Sequence, residues 1–574
     1  MSNLDWIVLL GTLLFIVIYG AWKTKGSKDI EGYLKGNNSM KWATIGLSVM
    51  ATQASAITFL STPGQAYESG MAFVQNYFGL PIALIIVSAV FIPIYYRLKV
   101  FTAYEFLEKR FDYKSRVLGA SLFLLQRGLA AGITIYAPAI ILSNVLGMDL
   151  DMMILMVGVL VIIYTVSGGT KAVSLTQKYQ MGVIFLGMFI AFFILLSKIP
   201  EFMSFGDSLV VAGKLGKLEA IDFSLDFEKR YTFWSGITGG LFLALSYFGT
   251  DQSQVQRYLG GTNVAQSRVG LMFNALLKVP MQFFILFVGV MVFVFYQFER
   301  PPVFFNTTEL NKSEITDTSY ATKISEKEEE FGRVHQLKKD EIKNYVEVMN
   351  SGDESQIEIS AQRVMDLNNQ SDQIRKDVKN LIIEANPDAE VKDSDYVFIT
   401  FVMNYLPHGI IGLLLAVIFS AAMSSTSSEL NALASTTVVD FYSRSIKKEA
   451  TDAHYLQVSK ILTAIWGVIA ILFALAAQLV ENLIEFVNII GSLFYGTILG
   501  IFIVGFFLKK VSSNPVFYAA LIAQVVVLIL HFLTVTETIK LGYLWYNVIG
   551  CMLLVILALL FQLLSGGENK KAPV

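Results

Sequence analysis

The stretch SAAMSSTSS, Ser420–Ser428, decides how this chain is read. It lies in a long apolar run, from about Gly409 to Val439, that has no serine before Ser420 and then six hydroxyl side chains within nine residues. Residues three and four apart share a helix face. Ser420, Ser424 and Ser428, with the neighbouring Ser425, can therefore point oxygens at a single spot. A hard cation takes oxygen ligands, and neutral oxygens suffice for one positive charge. The competing reading is packing, in which small residues let membrane helices approach and their hydroxyls bond back to the preceding turn. The rest of the chain has to choose.

The 574 residues are 54% hydrophobic and 16% charged, with 43 Phe and only 12 Pro. Mean hydropathy is +0.56. The apolar residues come in blocks of about 20 to 30, each long enough to cross roughly 30 Å of hydrocarbon as a helix. The composition therefore gives an all-α polytopic membrane protein. A net charge of −2 gives no preference for nucleic acid. The single cysteine, Cys551, excludes an intrachain disulfide. His335, His408, His454 and His531 are scattered without metal-ligand spacing. Met1–Trp6 lacks the positive region of a cleaved signal, so the first apolar segment is expected to remain as a helix.

About thirteen spans are expected: 4–22, 42–69, 73–97, 117–145, 150–168, 172–197, 232–250, 269–297, 397–440, 456–479, 482–508, 514–535 and 541–564. Lysines and arginines gather in the loops after the odd-numbered spans, among them Lys23, Lys25, Lys28 and Lys35, then Arg97, Lys99, Lys109 and Arg110, and later Arg444, Lys447 and Lys448. By the positive-inside rule these loops face the cytoplasm. The N-terminus is then outside, and the C-terminus, with Lys570 and Lys571, is cytoplasmic. Between about Glu299 and Asp395 the composition turns polar, and Ile342, Tyr345, Val346 and Met349 recur at helical spacing. That insert is expected to be a helical hairpin on the outer face.

Three further motifs stand beside the serine helix, whose full pattern runs SAAMSSTSSELNALASTTVVDFY, Ser420–Tyr442. They are YFGTDQSQVQRYL (Tyr247–Leu259), FIPIYYRLKVFTAYEFLEKRF (Phe91–Phe111) and SGGTKAV (Ser167–Val173). In this order they resemble the sodium:solute symporter family, over most of residues 1–300 and 396–510. The resemblance implies a LeuT-type five-plus-five inverted repeat, in which broken helices expose backbone carbonyls to a buried cation. On this scheme 1–40 is a leading helix and cytoplasmic loop, 41–200 the first repeat and 201–298 the start of the second. Residues 299–395 are then the extracytoplasmic insert, 396–510 the remainder of the second repeat, and 511–574 two additional helices and a short tail. Unwinding is expected at Ser61–Gly64 in the second span and at Gly236, Gly239 and Gly240 in the seventh.

The resemblance also implies a sodium site. Its backbone carbonyls fall on Ala51, Ala54 and Ala421, and its two hydroxyls on Ser424 and Ser425. Some members have a second sodium position, whose hydroxyls match Ser427 and Ser428. Gln177 stands where that site has an aspartate, so its charged ligand is missing. Glu429 is a carboxylate in an otherwise uncharged run, and burying it ionised and alone would be costly. It replaces the lost aspartate, carries a proton, or pairs with Lys178 or Arg257.

The family's substrate pocket lies beside the sodium site. The polar positions of its sugar-transporting branch fall here on Thr58, Tyr77, Ala244 and Asn488. Only its lysine is kept, as Lys278, and Tyr247 matches the aromatic gate. Hexose specificity does not follow, since a hexose would lose several hydrogen bonds. Arg127 lies about eleven residues into its span and Lys278 about nine, depths at which cations face a cavity or a partner. An organic anion would supply the counter-charge, with Gln53, Ser55, Phe73 and Gln75 nearby in the pattern. Alternatively, Arg127 pairs with a carbonyl and Lys278 is a structural latch near the cytoplasmic end.

What the resemblance implies is sodium-coupled symport of a small organic solute into the cell by alternating access. The solute would be a sugar or an organic anion such as sialic acid or a monocarboxylate. The protein would be a multi-pass monomer in the lipid bilayer of the cell (inner or plasma) membrane. The alternative is a transporter-derived sensor or receptor, against which the tail after Ser565 counts, being only about ten residues. A membrane enzyme would need clustered His, Asp or Cys in the spans, and none is seen.

Overall fold

The computed structural model describes residues 1–23, 38–312, 315, 319–476 and 482–565. These are almost entirely helical, with no β-strand among them beyond an isolated bridge between Met40 and Gly261. Lys25, Lys28, Lys35, Lys570 and Lys571, used above to orient the chain, lie outside the described residues. Nine helices among the described residues are long and apolar enough to cross a membrane, and Asn3–Phe15, Leu150–Val166 and Ser235–Gly249 are shorter apolar helices.

Helix α1 is Asn3–Lys23. The second expected span is two helices, α2 (Trp42–Gln53) and α3 (Ala56–Ser69). After short helical segments as far as Arg110 come α4 (Tyr113–Leu146) and α5 (Leu150–Ser197). The seventh span ends as α6 (Gly240–Gly249) and continues, after a break, as α7 (Gln252–Leu259). Helix α8 is Val264–Phe298. The insert contributes α9 (Ser319–Ser351) and α10 (Glu354–Ala385). The chain then continues with α11 (Ser394–Tyr405), the serine helix α12 (Ile410–Thr436), α13 (Asp452–Ala476), α14 (Leu483–Phe507), α15 (Ser513–Val535) and α16 (Leu544–Leu564).

Two expectations are corrected here. Helix α5 runs 48 residues without a backbone break, where two spans, 150–168 and 172–197, are expected. A straight helix of 48 residues would be about 72 Å long, more than twice the hydrocarbon thickness. Its two ends serve different neighbours. Gly158 and Ile162 lie against Ile471 and Gly467 of α13, whereas Gly187 meets Leu414 of α12 and Phe192 packs on Phe284 of α8. The side chains of Ser167–Val173, between the two ends, lie outside the described residues.

The second correction concerns unwinding. Ser61–Gly64 stay helical inside α3. A Cβ on Gly64 would stand 1.9 Å from Ser394 O, and one on Gly289 of α8 would stand 2.2 Å from Pro63 O. These glycines allow backbones to touch, as small residues do at membrane helix contacts. Gly236 and Gly239 lie in a π-helical turn, Ser235–Gly239, with Gly236 packed on Gln75 O in the same way. The helices break elsewhere.

The insert is the expected hairpin. Ile342, Tyr345 and Val346 of α9 are buried, with Met349 half-buried, and α10 buries Ile374, Val378 and Ile382. Arg375 and Lys379 bind Asp393 at 2.8 and 2.6 Å, and Lys392 binds Glu68 of α3 at 3.2 Å.

Candidate functional site

The first break falls at Ala54–Ser55, between α2 and α3. Ala54 adopts φ −85°, ψ 71°, and Ser55 is extended. A helix end leaves its last carbonyls without following N–H groups. Here Met50 O accepts from Ala54 N at 2.7 Å and Gln53 O from Thr58 Oγ1 at 3.5 Å. The second break is at Thr250–Asp251, where Asp251 Oδ1 caps α7 by accepting from Ser253 N at 2.9 Å. Irregular backbone at membrane depth is tolerated only inside protein or along a cavity. Both breaks are buried.

The serine helix divides between the two readings of its hydroxyls. Ser425 Oγ donates back to Ala421 O and Ala422 O, Thr426 Oγ1 to Ala422 O, and Ser428 Oγ to Ser424 O. Ser420, Ser424 and Ser427 are equally buried, yet their hydroxyls have no hydrogen-bond partner among the described residues. A buried unpaired hydroxyl costs about 1–3 kcal/mol. Such oxygens suit a cation that is itself short of ligands. Thr52 of α2 touches Ser428 of α12, Oγ1 to Oγ 3.5 Å, so the serine helix and the end of α2 adjoin. Gln177, where the resemblance leads one to expect an aspartate, is held by three hydroxyl side chains. Its amide nitrogen donates to Thr52 Oγ1 and Ser428 Oγ, both at 3.2 Å, while its oxygen accepts from Ser48 Oγ at 2.6 Å.

Arg127 of α4 finds counter-charges within the chain. Its guanidinium donates to Glu429 Oε1 at 3.0 Å, to Tyr495 Oη at 2.7 Å and to Asp251 Oδ2. Tyr495 Oη also donates to Asp251, and Thr134 Oγ1 to Glu429 Oε2 at 2.8 Å. Glu429 therefore pairs with Arg127 rather than with Lys178, which is exposed, or Arg257. Arg127, Asp251 and Glu429 are 3%, 1% and 4% exposed. With all three ionised the triad carries one net negative charge, and it ties α4 to α12 and to the break before α7.

A cavity lies beside both breaks. Gln53, Ser55, Tyr77, Arg127, Tyr247 and Asn488 line it. Thr58, Phe73, Gln75 and Lys278 are not among its lining residues. Gln75 instead clamps a loop, donating to Tyr231 O at 3.1 Å and accepting from Asp222 N at 2.9 Å, and Phe73 packs on the Tyr77 and Tyr231 rings. Lys278 is fully buried; its ammonium has no hydrogen-bond partner among the described residues and lies 5.4 Å from the centre of the Tyr77 ring. The sequence reading missed Asp251, Thr134 and Tyr495. Asp251 carried a signal, being a carboxylate at the end of an apolar span that could balance a buried cation. Tyr495 carried none.

A model of the sodium:solute symporter family matches residues 33–317 and 381–523. The chain belongs to the sodium:solute symporter family. Relatives include the sodium-coupled monocarboxylate transporter 1 of Xenopus laevis, 35% identical over 284 residues, which are 47% of this chain and 44% of that protein. The sodium/iodide cotransporter of Homo sapiens is 32% identical over 274 residues, 47% of this chain and 42% of that protein. The matched stretches thus span less than half the length of these relatives. A solved structure of a Na+-coupled sialic acid symporter, substrate-bound and outward-open, shares the fold, with a TM-score of 0.73 at 23% identity over 98% of both chains. Family and apolar helices together make this a multi-pass membrane protein. The family model leaves residues 318–380 unmatched, and these hold nearly all of the α9–α10 hairpin.

Proposed function

We propose that the chain is a sodium-coupled symporter of a small organic solute in the plasma or inner membrane, with sodium held by the carbonyls of Ala51, Ala54 and Ala421 and the hydroxyls of Ser424 and Ser425. The observation that carries this reading is the buried, unpartnered Ser424 hydroxyl on a helix that adjoins the end of α2. Ser427 and Ser428 form the hydroxyl part of a second cation position in which Gln177 supplies an amide instead of a charge. Each sodium entering down about 100 mV supplies about 2.3 kcal/mol before its concentration gradient is added. Such energy concentrates a solute many-fold.

The architecture that goes with this reading is a five-plus-five repeat with α9–α10 on the outer face. The molecule works as a monomer in lipid. The solute is a sugar or an organic anion, and Lys278 favours the anion. Arg127 is already neutralised by Asp251 and Glu429, which leaves Lys278 as a buried cation with no carboxylate in a salt bridge among the described residues. Its neighbour Tyr77 lines the cavity. Uptake into proteoliposomes tests both parts. Sialic acids, monocarboxylates, hexoses and inositols are offered with and without sodium. Sodium-dependent accumulation of an anion is expected, abolished by Ser424→Ala with Ser425→Ala. Accumulation that persists in that double variant with its cation requirement intact removes the sodium assignment, and solute binding without accumulation favours a sensor.

A further inference from the structure

A second cavity, of about 260 Å³, lies between the hairpin and the ends of α3, α8 and α11. It shares no lining residue with the cavity beside the breaks. His335 of α9 lines it at 4% exposure, and neither ring nitrogen has a hydrogen-bond partner among the described residues. Lys338 stands three residues further on the same helix face, 7% exposed, and its ammonium donates to the neutral Asn368 Oδ1 at 3.3 Å. Keeping from water an ammonium with one neutral acceptor and an imidazole with no partner is costly.

The balance of charge around the cavity favours an anion. Arg375 and Lys379 are held by Asp393, while Lys217, Lys338 and Lys376 form no salt bridge among the described residues. Facing these three are two acids, Asp372 and Glu68, and Glu68 already binds Lys392. The walls are aromatic. Phe293, Tyr296 and Phe331 present their side chains, with the Lys217 ammonium 4.7 Å from the centre of the Phe293 ring. A ligand suited to these walls has an apolar body and a compact negative end.

We propose that this cavity is a binding site for a small organic carboxylate, whose oxygens accept from His335 and Lys338 and whose apolar body lies against the rings of Phe293 and Phe331. The site is built by the hairpin and the membrane helices together, so its occupant joins the two. Burial, with the Lys338 charge beside it, pulls His335 down to about 4, and burial pulls Lys338 down to about 8. A bound anion would raise both. The assignment does not depend on sodium coupling and is tested without it.

The probe is 4-fluorobenzoate, followed by fluorine NMR on the full-length protein in lipid nanodiscs with potassium in place of sodium. Saturable one-to-one binding is expected. Lys338→Gln and His335→Asn each weaken it by about tenfold or more, as expected for losing one hydrogen bond to a charge. Ser424→Ala with Ser425→Ala leaves it unchanged. If Lys338→Gln does not fold, the exposed Lys376→Gln carries the test, with a loss of about threefold expected. The proposal is overturned by absence of binding, by affinity indifferent to all three hairpin substitutions, or by loss in the serine variant alone, which would place the probe in the other cavity. Displacement by equimolar inorganic phosphate would likewise overturn the apolar-body assignment.

Discussion

The membrane bundle and the α9–α10 hairpin are built from the same element for opposite surroundings. In the bundle, Leu276 and Phe532 are 72% and 66% exposed to what is lipid, and the charged Arg127, Asp251 and Glu429 are inside. In the hairpin Ile342, Val346 and Val378 are inside, and ion pairs such as Lys327 with Asp377 stand at the surface. What differs is the worth of a charge. Outside, water competes with every partner and an exposed pair contributes about 0–1 kcal/mol. Inside, removing one partner leaves another charge with nothing to replace it, at about 3–5 kcal/mol.

Breaking Arg127 gives the largest expected effect. Arg127→Met strands both Asp251 and Glu429, so accumulation is lost and thermal unfolding in detergent shifts sharply downward. Adding Glu429→Gln recovers part of the melting temperature, because one stranded charge is removed; no recovery would mean that the triad is not coupled. Gly64→Val comes next. The new side chain meets the Ser394 carbonyl where even a Cβ stands at 1.9 Å, so a loss of about 1–3 kcal/mol, read as reduced folded yield and melting temperature, is expected.

Gln177→Asp sharpens the comparison in the other direction, adding a charge to the bundle where Ser48, Thr52 and Ser428 already converge. Sodium half-saturation in uptake should tighten by about tenfold. At the seam between the regions, burial and then the Asp395 charge raise the Glu390 carboxyl to about 8 from 4.5. The folded state therefore holds this proton more tightly than the unfolded chain. Its contribution is fully present below about pH 4.5 and is lost as pH rises to about 8. Glu390→Gln flattens that part of the melting temperature against pH. Lys327→Ala has the smallest effect, at most about 1 kcal/mol, seen as a barely shifted hairpin transition.

Local pattern carried the hairpin, because Ile342, Tyr345 and Val346 sit at the helical period whatever they pack on. It also flagged Glu429 and the hydroxyl cluster as out of place in an apolar run, whereas Gln177 was marked only by the resemblance. It could not supply partners. Glu429 and Arg127 are 302 residues apart, and nothing near either names the other. Proline and glycine misled in a specific way: Pro63 and Gly64 read as a place to unwind, but they mark where backbones press together. The true break at Ala54–Ser55 bears no breaker residue, so its position is set by tertiary surroundings.

The glycine contacts of α3 have a mechanical side. Where Pro63 meets Gly289 and Gly64 meets Ser394, the facing surfaces are bare backbone with no interlocking teeth. Smooth surfaces resist compression but oppose little to gliding, whereas α4 and α12 are pinned by the Arg127–Glu429 pair. A shear of α3 along α8 and α11 meets only backbone at these two contacts, on the helix whose first residues follow the Ala54 carbonyl.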